Sequence, residues 1–272
     1  MSLRLEMLQV ARLAPNLLQE AAERVAAFLR AQFNEDGGAR DKSGKSDLYY
    51  TVFALEGLIA LRQDPPVDRV RPYLERFGDG DGLDLVHQTC LARCWAALPK
   101  GSLDAATSAR LGERIERGAK ESVYNRFLSV GAAEDLGGAM KNVTPEAILK
   151  LQSEDGSFGG TTPTTAGAVT LLHHLGAEVP AGAVVWLLSR AITTGGFLAV
   201  PGAPVPDLLS TATALHALAA AKQSIGALRE PMLDFVDTLW TGQGFCGTWS
   251  EDKPDAEYTY YGLLALGHLS LA

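Results

Sequence analysis

His87, Cys90 and Cys94 stand at positions i, i+3 and i+7. On a helix that spacing turns three side chains to one face, where they could supply three ligands of a metal site. No fourth ligand is near in sequence, and a buried cysteine otherwise behaves as a small apolar residue. His173, His174, His216 and His268 lie in apolar segments. A histidine there is either a hydrogen-bonded core residue or a base facing an interior cavity. Asp47, Asp207 and Asp255 each open an apolar segment and follow Ser46, Pro206 and Pro254. An Asp in that place caps a helix by accepting from its first free N–H groups, which stabilises the helix by roughly 0.5–2 kcal/mol. The same carboxylates could instead serve acid–base chemistry. The chain carries no Cys-Gly-Glu-Gln thioester, P-loop, serine nucleophile elbow or His-Glu-x-x-His phrase, which sets those classes aside.

The elements that position these residues must be built from 272 residues, 47% hydrophobic and 21% charged, enough to bury a sizeable core. Lys+Arg 24 against Asp+Glu 32 leaves a net charge of −8, which argues against nucleic acid or an anionic membrane as partner. Three cysteines form no disulfide framework, and charges interrupt the first residues where a secretory core would be apolar. The expected compartment is the cytoplasm, with no transmembrane segment.

One phrase recurs: an acid, three residues, then Thr and an Ala/Gly-Leu run. The clear copies are Asp47 to Leu55, Asp207 to Leu215 and Asp255 to Leu263. Weaker ones start at Leu85 and Thr161, and a further one at Ser122. The steps between starts are 38, 37, 39, 46 and 48 residues, each enough for two helices. Amphipathic helices are expected outside at Asn16 to Phe33, Val67 to Phe77, Ser102 to Lys120 and Ile225 to Trp240. Almost wholly apolar helices are expected inside at Thr51 to Leu61, Thr165 to Leu175 and Thr211 to Ala221, and a last helix over Tyr258 to Leu271. Repetition alone permits an open solenoid or a closed ring.

Gly-rich turns carrying an aromatic precede several phrases: Gln152 to Gly160, Gly195-Gly196-Phe197 and Gly242 to Trp249. Such Gln-x-Gly-x-aromatic turns resemble the repeats of protein prenyltransferase β subunits and of squalene and other terpene cyclases. The resemblance covers most of the chain and is loose between residues 85 and 140. It implies an all-α fold, a closed α/α toroid of six hairpins (an α6/α6 barrel) with a central apolar cavity, as one domain over residues 1–272. All inner helices would then run the same way, and their N-termini would converge on one mouth.

In the prenyltransferase branch that mouth holds a catalytic zinc and the diphosphate of the prenyl donor. Asp207 matches the first zinc ligand, but Leu209 and Tyr258 stand where a Cys and a His are expected, so the family's zinc site reads as degenerate and no cofactor is predicted. Val200 and Ala203 replace the diphosphate-binding Arg and Lys, leaving Arg40, Lys42 and Lys45 as candidate contacts. In the cyclase branch an Asp-x-Asp-Asp-Thr phrase protonates the substrate. Asp255-Ala256-Glu257-Tyr258-Thr259 is the nearest match, with Glu257 at the proton donor's position and Tyr258 in place of the last Asp. A buried carboxyl beside a second carboxylate could donate a proton. The expected catalytic residues are therefore Glu257, Asp255 and Asp207. Tyr49, Tyr50, Tyr258 and Tyr260 are the expected rings against an isoprenoid, with Tyr261 beside them at the upper wall. The resemblance also allows a helical partner subunit. The contrasting expectation is a non-catalytic toroid that binds a lipid or a partner protein.

Overall fold

The computed structural model describes residues 2–119 and 122–271. In chain order its helices are α1 (Leu3–Ala11), α2 (Pro15–Leu18), α3 (Ala21–Ala31), α4 (Leu48–Ala60), α5 (Val67–Glu75), α6 (Leu85–Ala96) and α7 (Ala105–Gly118). They continue as α8 (Val123–Asp135), α9 (Pro145–Leu149), α10 (Thr162–His174), α11 (Ala181–Leu188), α12 (Leu208–Ala220), α13 (Arg229–Thr238) and α14 (Ala256–Leu269). Lys120, the expected end of one outer helix, lies outside the described residues. The stretch from Asn16 to Phe33 is two helices, α2 and α3, separated where Gln19 turns to φ 49°.

Helices α4, α6, α8, α10, α12 and α14 pack in succession, and α14 returns to α4, so the repeats close into a ring. Each inner helix follows one residue in extended backbone whose side chain accepts from the first turn: Asp47, Asp84, Ser122, Thr161, Asp207 and Asp255. The inner helices thus begin just after the cap, three residues before the segments expected at Thr51, Thr165 and Thr211. In the second repeat the cap is Asp84, one residue ahead of the expected start at Leu85.

The repeated Thr is explained by the turns. The buried hydroxyls of Thr51, Thr165, Thr211 and Thr259 accept from the backbone N–H of Ala39, Phe158, Phe197 and Phe245. These residues bridge back to the ends of the outer helices at Phe33, Gln152, Ala191 and Trp240. Two of the turns extend into short antiparallel hairpins, β1 (Ala39–Arg40) with β2 (Ser46–Asp47) and β3 (Phe197–Leu198) with β4 (Pro206–Asp207). Glycine is required where a turn meets the next outer helix. Gly37 (φ 93°) and Gly195 (φ 96°) would each place a Cβ 1.9 Å from a carbonyl oxygen, of Arg69 in α5 and of Pro231 in α13.

Helix α1 has no counterpart in the repeats. It packs on α4, α8 and α14, at the end of the ring where the inner helices finish. Its Val10 carbonyl lies so close to Gly267 that any side chain there would collide. Leu3 N–H donates to Glu134 (3.0 Å), Arg4 pairs with Glu56 (3.3 Å), and His174 bridges Glu6 (3.1 Å) and Glu134 (2.6 Å). Two of these partners, Glu134 and His174, belong to the last turns of α8 and α10, so α1 closes the floor of the ring.

Candidate functional site

Because every inner helix starts at a defined cap, equal offsets reach equal depths. The second, sixth and ninth residues after each cap form three layers at matching depths, and all but Glu257, Glu56, Gly131 and Leu264 line the lumen. The upper layer is Tyr49, Val86, Tyr124, Pro163, Leu209 and Glu257. The middle layer is Phe53, Cys90, Leu128, Gly167, Thr213 and Tyr261. The lower layer is Glu56, Arg93, Gly131, Thr170, His216 and Leu264. Between them runs a narrow cavity of about 130 Å³ whose wall is mostly apolar and aromatic, with Met7 of α1 at its floor.

Glu257 is buried, 8% exposed, and Tyr49 Oη donates to its Oε1 at 2.6 Å. Burial pushes its carboxyl up to about 7. The Tyr49 hydrogen bond opposes that rise and the neighbouring Asp255 adds to it. Glu257 therefore exchanges its proton near neutral pH. It is not itself part of the cavity wall; Tyr49 is, so the carboxyl reaches the lumen through the Tyr49 hydroxyl.

Asp255 caps its helix as expected and also faces a lysine. Its Oδ1 caps α14 by accepting from Tyr258 N–H (2.8 Å), and its Oδ2 faces Lys42 Nζ at 3.6 Å. Burial raises its pKa, against the Tyr258 amide and the Lys42 charge. Asp207 caps α12 through Ser210 N–H (2.7 Å), and burial raises its pKa as well.

The candidate phosphate contacts do not form a cationic mouth. Arg40 turns to the end of outer helix α3, donating to the carbonyls of Ala31 and Gln32. Lys42 is bound by Glu251 (2.6 Å) and Asp255 and lies 5.0 Å from the Tyr258 ring centre. Burial works against its charge, but Glu251 and Asp255 outweigh it and hold its pKa up. Lys45 is exposed. The helix dipoles at the mouth meet the carboxylates of Asp47, Asp84, Asp207 and Asp255, which offset the positive field an anion would need.

Of the four expected rings, Tyr49 lines the cavity. Tyr50 stands beside it, ring centres 5.7 Å apart, half-buried and outside the wall, its hydroxyl pushed up to about 12 by burial. Tyr258 packs on Gly247. Tyr260 is fully buried between helices; its neighbour Tyr261 takes the place in the wall. Phe53, Tyr124 and Phe127, which complete the aromatic lining, were not foreseen.

His87, Cys90 and Cys94 do not converge. His87 faces Asp84 (2.9 Å) and Asp47 (3.5 Å) near the mouth, Cys90 faces the lumen with its thiol pushed up to about 12 by burial, and Cys94 Sγ faces the Leu48 carbonyl (3.9 Å). Positions i and i+7 are two turns apart, too far for one ion. Among the described residues no three His, Cys, Asp or Glu side chains are grouped to hold a metal. At the family's zinc position Leu209 turns an aliphatic chain into the lumen and Tyr258 lies under Lys42. This donor set does not fit zinc.

Lower in the lumen lies an ionic cluster that the sequence reading missed. Arg93 grips Glu56 with two hydrogen bonds, Nε to Oε1 (3.1 Å) and Nη2 to Oε2 (2.7 Å), while Arg4 approaches Oε1. Glu56 is fully buried. Behind His216, His268 completes a buried imidazole pair, Nδ1 to Nε2 3.0 Å, and burial pushes the two down to about 4 and about 3.

A family model described as "Prenyltransferase alpha-alpha toroid domain" matches residues 7–92 and 165–270. No curated protein matches the chain in sequence. No helix among the described residues is long and apolar enough to cross a membrane.

Proposed function

Since the chain belongs to the prenyltransferase alpha-alpha toroid domain family, we propose that its lumen binds an isoprenoid chain lacking a diphosphate and that Glu257 protonates it. The observation that carries this reading is the Glu257–Tyr49 hydrogen bond, a near-neutral carboxyl joined to the wall of an aromatic cavity. In its acid form Glu257 donates to Tyr49 Oη, which frees the phenolic proton to point into the lumen. Transfer of that proton to the substrate, with the Glu257 proton replacing it on Tyr49, leaves a carboxylate near Lys42. A cation formed on the substrate then meets the faces of Phe53, Tyr124, Phe127 and Tyr261, as cyclisation or isomerisation requires. A carboxyl with a pKa near 7 is a weak acid, so an epoxide or an allylic oxygen is a better acceptor than an isolated alkene.

A second reading, a binding scaffold without catalysis, is supported by the floor: α1 and the Arg4–Glu56–Arg93 cluster close the lower end of the lumen. Incubation with geraniol, farnesol and their epoxides in deuterated water separates the two. The catalytic reading predicts deuterium in a rearranged product and its loss in Glu257→Gln. Binding with no product in any case leaves the scaffold.

A further inference from the structure

Arg93 is out of place in an apolar lumen. It forms part of the cavity wall, its side chain is 17% exposed, and its Nη1 has no hydrogen-bond partner among the described residues. Its other two nitrogens are held by Glu56, which fixes the guanidinium plane. Phe53 closes one side, ring centre 5.9 Å from the guanidinium carbon. A free N–H in a fixed direction at the deep end of an apolar cavity, on a side chain that the lumen leaves accessible, is open to an acceptor there.

The charges around it point to the kind of acceptor. Glu56 is shared by two arginines, Arg93 and Arg4, so a positive charge is left over. Two further acids stand near the cluster: Glu134, taken up by Leu3 N–H and His174, and Asp135, whose carboxyl is pushed up to about 7 by burial, against the Arg4 and Arg93 charges, so that below pH 7 it adds little negative charge, and whose Oδ2 has no hydrogen-bond partner. Cys90 and Tyr260, also near Arg93, are held protonated by burial and add no charge.

We infer that the deep end of the lumen is a carboxylate site: Arg93 receives the terminal carboxylate of an apolar chain, whose body lies along Phe53 and Tyr261 toward the mouth. The inference rests on the isoprenoid-binding reading and adds the orientation and head group of the ligand. It places the carboxylate at the floor and the opposite end of the chain beside Tyr49 and Glu257. His216 and Thr170 share the layer of Arg93 and offer further polar atoms to the same head group.

Geranic acid and geraniol share one apolar chain and differ in the head group, so their calorimetric affinities at pH 6, where Asp135 is protonated, test the site directly. Geranic acid is expected to bind at least about tenfold more tightly, as a charge-assisted contact implies. It is also expected to shift the Arg93 side-chain nitrogen resonances in NMR. In the variant Arg93→Gln, which leaves Glu56 paired with Arg4, the preference disappears. Equal affinity of the two compounds for the unaltered protein overturns the carboxylate site while leaving the isoprenoid reading standing. Failure of both to bind overturns that reading and the site with it. The comparison on the unaltered protein decides the matter even if the variant fails to fold.

Discussion

Glu257 concentrates the chemistry of the mouth in one residue. Its ordinary pKa of 4.5 rises to about 7 in the folded chain, so the folded state holds a proton that the unfolded state has already lost between these values. Stability contributed at this position therefore falls as pH rises from 4.5 to 7, by on the order of 3 kcal/mol in full. Glu257→Gln keeps an acceptor for Tyr49 and cannot ionise. Thermal melts are expected to show the variant more stable than the parent at pH 8 and equal to it at pH 4; equal stability at both would mean an ordinary pKa. Any proton-donating activity should fall as pH rises through about 7. The residue was legible in Asp255-Ala256-Glu257-Tyr258-Thr259, but its contact was not. Tyr49 lies 208 positions away and meets Glu257 only because α14 returns to α4.

At the scale of the element, the Thr of four phrases does one job: it holds the incoming turn. Replacing Thr211 or Thr165 by Val strands a buried amide, of Phe197 or Phe158, and should cost about 1–3 kcal/mol in denaturant melts. Thr89 lies one position further from its cap and bonds back to the Val86 carbonyl instead, so Thr89→Val should cost clearly less. Similar losses at all three would refute the turn-holding role. The same irregularity explains what sequence reading missed. Anchoring the second phrase on Thr89 sets it at Leu85, whereas the cap at Asp84 aligns Arg93 with Glu56 and His216 and brings out the lower layer. The signal was present, because Asp84 is as good a cap as Asp47. The weak third copy, at Ser122, proves regular, since a serine caps as well as an aspartate. Helix α1 was invisible for another reason: it belongs to no repeat, and nothing in its composition says that it lies across the floor.

At the scale of the molecule, a ring of helices needs something to fill each end. The mouth is filled by turns and carboxylates, the floor by α1. Gly267→Ala would place a Cβ 2.1 Å from the Val10 carbonyl and should lever α1 away. Hydrogen exchange in residues 3–11 is then expected to quicken while α12 stays protected; unchanged exchange would mean that α1 is not seated on Gly267. The His216–His268 pair ties α12 to α14 just above that floor. Both pKa values lie below the ordinary 6.5, so stability is present above 6.5 and is lost as pH falls toward 4. His268→Gln should narrow the drop in melting temperature between pH 7 and pH 4.5, and an unaltered drop would place the acid sensitivity elsewhere. The closed ring was legible only through the family resemblance that the Gly-aromatic turns carry, since periodicity alone permits an open solenoid. Its narrowness was not, because cavity width depends on which side chains the layers bring face to face.

A crystal structure of the protein with geranic acid tests the central claim most directly. The account predicts electron density along the lumen between Tyr49 and Arg93, with the chain against Phe53 and Tyr261 and its far end beside the Glu257–Tyr49 pair. A lumen without density, at a concentration where calorimetry shows binding, would put the ligand on the outer surface and contradict the claim.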